Sequence, residues 1–365
     1  MELDKKNERL TTGQALFLFI GSMMGSELMT LPREVAQTGK VPDVWISIII
    51  SGLFYAFISW IMVKLAECYP QQTFYEFIQR LIGSWAGKAI GLLLVIYFLV
   101  FAGFELRSVN EVTSFLLLEG TPTWAISSVF LWLSLYMCAG GLFAIGKMCQ
   151  VVVPIFLCAL TVICLIGLFL FDSNYLRPVL SEGAMPVIRT LRTTLFSFSG
   201  HECLLFILYQ MEKPREGRKV VGYGIGITLF FYVASVIVSI GAFSVKGVVT
   251  RTWPFVDVIR GVELSFLFLE RLESLLLSIW IMQVFITFSI CYYLAALGVS
   301  KVLRLPIAAA LFILLPLVFL LSLLPKGISD LFAVGQLLGL VSFLFFSIAS
   351  VLLLLIAKAR SWRHG

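Results

Sequence analysis

Runs of Leu, Ile, Val and Phe follow one another along the chain from Gln14 to Ala357, parted by short polar connections. Crossing a bilayer core takes about 20 mostly apolar residues. The pattern predicts ten such helices, at 14–38, 44–64, 86–110, 122–140, 148–170, 187–210, 220–245, 272–298, 305–324 and 331–357. A transmembrane barrel would show short segments of alternating polarity instead. Two of the ten runs are interrupted in the middle. The first reads Gly21-Ser-Met-Met-Gly-Ser-Glu27 and the sixth Phe196-Ser-Phe-Ser-Gly-His-Glu202, so each puts glycine, serine and a carboxylate where only apolar residues belong.

An unbroken helix in hydrocarbon satisfies its own backbone and has nothing to offer a polar ligand. Unwinding one turn frees N–H and C=O groups, which is tolerated only where they face protein or a cavity. Glycine allows the dihedrals at little steric cost. The N-terminus of the outer half-helix then attracts an anion, and the facing carbonyls attract an ammonium or a metal cation. Two facing breaks therefore suit a zwitterion. Gly21-x-x-x-Gly25 alone also fits close helix packing. The matching interruption half a chain away favours paired discontinuous helices, and five spans per half make the repeats inverted, 14–170 against 187–357.

Composition agrees with a membrane protein: of 365 residues, 60% are hydrophobic and 13% charged, far more apolar than soluble domains. The end of the bundle holding the termini carries most of the Lys and Arg, among them Lys64, Arg80, Lys88, Lys147, Arg218 and Lys301. Four of the fewer cations on the other side, Lys246, Arg251, Arg260 and Arg271, share one long loop. The bias predicts cytoplasmic termini, and it makes the net charge of +6 a matter of topology rather than nucleic-acid binding. The N-terminus is of mixed charge, lacks a small-residue cleavage site, and reads as retained.

No catalytic residue, metal or cofactor is expected. The seven cysteines form no CxxC pair and read as packing residues. Gly141-Leu-Phe-Ala-Ile-Gly-Lys147 nearly spells a phosphate-binding loop, but Met148 replaces the required hydroxyl and no strand precedes it. HExxH is absent, and the only histidines are His201 and His364.

With these motifs in view, the sequence resembles the B subunits of spore germinant receptors, membrane proteins of the amino acid–polyamine–organocation superfamily. The resemblance covers nearly the whole chain. It is carried by Gly21-x-x-x-Gly25 with Leu31-Pro32-Arg33-Glu34, Phe104-Glu-Leu-Arg107, Leu176-Arg-Pro-Val-Leu-x-Glu-Gly183, Phe198-x-Gly-x-Glu202 and Trp253-Pro254. It implies an all-α integral membrane protein of about ten transmembrane helices in a LeuT-type 5+5 inverted-repeat fold, with helices 1 and 6 discontinuous. It also implies a ligand held near the midplane by spans 1, 3, 6 and 8. The implied partners are an A subunit and a lipoprotein C subunit in the bacterial spore inner membrane. The implied function is sensing of a nutrient germinant such as an amino acid. Glu27 stands where many relatives have a small or apolar residue, a departure from a simple neutral-amino-acid pocket.

Mapped onto this chain, that fold places Gly21, Ser22, Met24, Gly25 and Ser26 in the first break and Ser197, Phe198, Ser199 and Gly200 in the sixth. Tyr97 and Phe101 in the third span are four residues apart, hence on one face. Thr287 in the eighth span lies at similar depth, either facing the ligand or bonding back to its own helix. Glu27 and Glu202 are intramembrane carboxylates, costly groups that point to function; their structural alternative is capping or bracing. Thr287 with Ser289 can be read as the hydroxyls of a sodium site, and the fifth span holds no lysine in its place; sodium, proton and no coupling all stay open. After Pro254, apolar residues at 255, 258, 259, 262 and 266 have helical spacing, which fits a helix lying over the outer vestibule or against a partner. Alternative readings are an amino acid permease coupled to protons or sodium, and a ligand-gated conduit for water or ions.

Overall fold

The computed structural model describes residues 9–69, 72–194, 196–261 and 272–361. The expectations placed on residues 1–8, on Val262 and Phe266, on Arg271 and on Arg363 and His364 lie outside the described residues.

Thr11 opens the first helix, α1 (Thr12–Met23), with a capping box: its hydroxyl accepts from Gln14 N, and the Gln14 side chain accepts from Thr11 N. The helix stops at Met24. It restarts after Gly25 and Ser26 as α2 (Glu27–Gly39), whose axis is turned by 46° from that of α1. The second span, α3 (Val44–Cys68), leads through the short amphipathic α4 (Phe74–Ile82) to the long α5 (Ser84–Leu116). Helices α6 (Thr123–Ala139) and α7 (Gly141–Gly167) complete the first half.

The sixth span is broken more thoroughly than the first. Helix α8 (Met185–Thr194) is followed by 3-10 turns at Phe196–Phe198 and His201–Cys203, then by the single-turn α9 (Leu204–Ile207) and a last 3-10 turn, Leu208–Gln210. Helix α10 (Gly217–Thr250) is kinked at Ser244 (φ 60°), where the apolar pattern predicts its span to end. Helix α11 (Pro254–Gly261) begins at the proline, as the sequence implies. Then come α12 (Leu272–Leu303), α13 (Ile307–Ser322), α14 (Ile328–Val341), a π-helical turn (Ser342–Ser347) and α15 (Ile348–Ser361).

Six of these helices are long and apolar enough to cross a membrane: α3, α5, α7, α10, α12 and the α14–α15 run. The bent α1–α2 pair makes a seventh. The shorter apolar α6 and α13, and the broken α8–α9 segment, occupy the remaining predicted spans. Helix α12 is the bundle's central post and packs most extensively on α5. Helices α1 and α2 are flanked by α7 and α10.

The end of the bundle nearest the first turn of α1 is tied shut. Leu10 N donates to Gln210 O at 2.8 Å and Glu212 N donates to Leu10 O at 2.9 Å, joining the entry of the first span to the exit of the sixth. The Thr12 hydroxyl donates to Glu216. Arg218 pairs with Glu67 at 3.1 Å, and Lys301 of α12 pairs with Glu76 of α4 at 2.7 Å.

Candidate functional site

The two breaks meet through their backbones. Gly200 has φ +98°, in the left-handed region that glycine adopts without strain. A Cβ there would lie 1.9 Å from the carbonyl oxygen of Ser22. In return, Ser22 Oγ donates to Gly200 O at 3.0 Å and to Phe19 O at 2.8 Å. Only glycine permits this approach.

Unwinding at Met24 frees carbonyls that α1 can no longer use. Gly21 O accepts from Thr287 Oγ1 at 2.8 Å and from Gln283 Nε2 at 3.0 Å, both on α12. Met23 O accepts from Tyr232 OH of α10 at 2.5 Å. In a lone broken helix such carbonyls would be left for a ligand; here neighbouring helices take these two. Thr287 also lies 3.4 Å from Gln283 O one turn back, the contact to its own helix that the sequence allowed. Ser289, two residues on and so on another face, has a buried hydroxyl without a partner.

In the sixth span, Phe198 is packed between Tyr55 and Tyr232, each with its ring centroid 5.4 Å away. Ser197 and Ser199 are buried, and the Ser199 hydroxyl has no hydrogen-bond partner. Glu202 is fully engaged by protein. It accepts from Gly200 N at 2.9 Å, from Ser342 Oγ at 3.1 Å and from the hydroxyl of Tyr97. His201 Nδ1 lies 3.1 Å from both Glu202 Oε2 and Phe198 O. Two acceptors around one ring nitrogen assign the proton to it. Glu202 thus braces the sixth break against α5 and the π-helical turn. Phe101 is buried one turn beyond Tyr97, its ring 6.0 Å from that of Tyr97.

The first break is different. Met24 is buried, and Ser26 precedes α2 without making a side-chain cap. Glu27, the first residue of α2, is buried with neither carboxylate oxygen hydrogen-bonded. It does not cap the helix in the way its position suggests. Across Gly25 stands Glu105 of α5, also buried with both oxygens unpartnered. A Cβ on Gly25 would lie 2.3 Å from Glu105 Oε1 and 3.0 Å from Glu27 Oε2, so the two acids converge on this glycine.

A cavity toward the far end of the bundle reaches Ser26, next to this point. Ser26, Met29 and Thr30 line it from α2, Phe104 and Ser108 from α5, Trp253 from the approach to α11 and Trp280 from α12. Helix α11 buries Phe255, Val258 and Ile259 and packs on α2, α7 and α10. Arg260 ties it to Glu273 of α12 at 2.6 Å. Asp257, on the same helix and outside the spans, is raised above the usual carboxylate range by burial, against the pull of Arg260 and Arg251.

Five contributors to these contacts were not among the sequence-derived candidates: Tyr55, Glu105, Gln283, Tyr232 and Ser342. Glu105 completes the face of Tyr97 and Phe101 at the same four-residue step, and Gln283 precedes Thr287 by one turn, so the helical period contained both. Nothing in the local pattern marked Ser342.

A bundle whose first and sixth helices are both interrupted, with the interruptions in contact, is of the LeuT type. Two solved transporters share the fold. One is a Na+-coupled sialic acid symporter in its substrate-bound outward-open state (TM-score 0.58, 12% identity, covering 95% of this chain and 74% of that one). The other is MhsT in complex with L-phenylalanine (TM-score 0.67, 12% identity, covering 94% and 95%). The chain belongs to the spore germination protein family, whose model matches residues 9–331. It is 41% identical over 355 residues to spore germination protein YndE of Bacillus subtilis (strain 168), covering 97% of each chain. Identity is 32% over 352 residues to spore germination protein A2 of the same organism, covering 96% of each. Spore germination protein GerLB of Bacillus cereus is 22% identical over 362 residues, with 98% of this chain and 97% of that one covered. This is a family of membrane proteins rather than enzymes.

Proposed function

We propose that this chain is the nutrient-sensing membrane subunit of a spore germinant receptor. A small germinant of the amino-acid class binds at the midplane, between the breaks of the first and sixth spans. The carrying observation is the backbone contact of Ser22 with Gly200, which brings the two breaks together, with a cavity reaching Ser26 of the first break: a ligand entering from that cavity to the breaks would touch both broken helices, and their relative position is what differs between states of such a bundle. A ligand shifts an equilibrium only by its difference in affinity for the two states, so sensing requires binding without requiring transport. The halves 14–170 and 187–357 act as inverted repeats that rock about the site. The receptor sits in the spore inner membrane with the termini cytoplasmic, and an A subunit and a lipoprotein C subunit read the bundle's arrangement. The ligand set is Gly21, Ser22, Met24, Gly25, Ser26 and Glu27 with Tyr97, Phe101, Ser197, Phe198, Ser199, Gly200, Glu202 and Thr287, of which a ligand reaches Gly21 O, Glu202 and Thr287 by displacing the protein contacts they make here. Spores carrying only this receptor, screened against amino acids, nucleosides and sugars, test the reading. A germinant whose action is lost in Gly25→Leu supports it, and an unchanged dose response in that variant removes Gly25 from the site.

The likeness to two transporter structures favours a second reading, an amino acid permease using the same pocket. Sustained accumulation of radiolabelled ligand in vesicles containing this chain alone favours the permease, and saturable binding without accumulation favours the sensor.

A further inference from the structure

Glu27 and Glu105 face each other across Gly25, and among the described residues no positive group stands at Gly25 with them. Arg33, the nearest cation in sequence to Glu27, stacks instead on the ring of Phe332 at 5.4 Å, and Arg107, two residues beyond Glu105, is held by Glu111 at 2.5 Å. Among the described residues no other helix supplies a well-aligned donor to any of the four carboxylate oxygens. Ser26, buried and lining the cavity, sets its hydroxyl and backbone N–H beside Glu105, which leaves the hydroxyl's lone pairs free to accept. Acids buried together away from water are met either by protons of their own or by a compensating positive charge, and a ligand cation supplies the second.

The same pair decides what the start of α2 attracts. A helix N-terminus favours an anion, but here the first turn already holds Glu27, with Glu105 facing it. A ligand carboxylate at that spot would meet two acids.

We propose that the site takes a net-cationic amine, such as a basic amino acid or an aliphatic diamine, with an ammonium group seated between Glu27 and Glu105. This deepens the reading of the midplane site and rests on it. An ammonium offers three N–H donors, and the two carboxylates with Ser26 Oγ provide three acceptors around one point. A hard metal cation would instead seek six or more oxygens, and no group of three or more metal-ligating acidic, His or Cys side chains occurs among the described residues.

The test uses the full chain in lipid nanodiscs, titrated by calorimetry with L-lysine, cadaverine and L-norleucine. Lysine and norleucine share backbone and chain length and differ in the terminal ammonium. At least one of the two cations is expected to bind about 10-fold or more tighter than norleucine, the effect of a charge-assisted hydrogen bond, and Glu27→Gln is expected to remove that preference. Tighter or equal binding of norleucine overturns the proposal, as does binding of none of the three, or a cation preference that survives both Glu27→Gln and Glu105→Gln. Should Glu105→Gln not fold, the wild-type comparison and Glu27→Gln decide. Gly25→Leu separates the two levels. If norleucine binds best and this variant abolishes its binding, the midplane site stands and the cationic class falls. If a cation binds best and the variant leaves it unaffected, the midplane reading falls.

Discussion

Ser22 and Gly200 hold each other across the bundle: the Ser22 hydroxyl donates to the Gly200 carbonyl at 3.0 Å, and the Ser22 carbonyl lies against the Cα of Gly200. One contact joins both discontinuous helices, so a shift of one break against the other has to break or remake it.

Gly200→Ala tests that contact directly. The new Cβ would stand 1.9 Å from a backbone oxygen, on a residue with φ +98°. Backbone cannot swing aside as a side chain does, and strain plus overpacking cost about 3 kcal/mol or more. The variant is expected to lose its thermal transition in detergent or to fail to accumulate in the membrane. Ser22→Ala, which removes a hydroxyl proton shared between Gly200 O and Phe19 O, is expected to cost about 1 kcal/mol.

The bracing of Glu202 gives a graded series. Tyr97→Phe removes its tyrosine donor and is expected to lower stability by about 1–3 kcal/mol, the range for a buried acceptor left short of a partner. Ser342→Ala removes the 3.1 Å contact from the π-helical turn, with about 0.6–1.7 kcal/mol expected for a hydrogen bond between membrane helices. Thermal unfolding of the two single variants and the double variant measures the coupling: a double-variant loss well below the sum of the singles marks a shared network.

Much of this architecture was legible in the chain. Span lengths follow from long apolar runs, and the breaks show because Gly21, Gly25 and Gly200 stand beside serines and acids in otherwise apolar surroundings. Glu105 was hidden by its neighbours: it belongs to the Phe104-Glu-Leu-Arg107 motif, and only one further helical turn from Tyr97 and Phe101 reveals its face. Ser342 was not legible, since the π-helical turn shifts the register and no 3.6-residue period anticipates it. The fate of the freed carbonyls was equally invisible, because Thr287, Gln283 and Tyr232 reach α1 only through the packing of α12 and α10 around it.

Gly25→Leu should separate folding from sensing. The added Cβ meets the tip of the Glu105 side chain at 2.3 Å rather than backbone, so Glu105 can turn away and the chain can still assemble. Membrane levels are expected to match wild type while the germination dose response is lost. Loss of the protein itself would show that the glycine serves packing.

At the closed end, Glu76 and Lys301 link α4 to α12. Partial burial raises the Glu76 carboxyl, but hydrogen bonds from Lys301 and Thr73 outweigh it and hold the group below its ordinary value of 4.5. A lowered acid contributes stability above its unfolded value and loses it as pH falls through the folded one. Both side chains are more than a third exposed, so the contribution is small, about 0.2–1 kcal/mol, and screened by salt. Glu76→Gln is expected to show a slightly lower melting temperature than wild type at pH 7, with the difference closing below pH 4.5 and in high salt.

The central claim is that a small germinant contacts both breaks at once. Photo-crosslinking with a diazirine analogue of the nutrient found active on spores carrying this receptor, followed by peptide mapping, tests it most directly. Label is expected in both 21–27 and 197–202, with each suppressed by excess unmodified nutrient. Competed label confined to α11 or to the tied end of the bundle, with both stretches unlabelled, would contradict it.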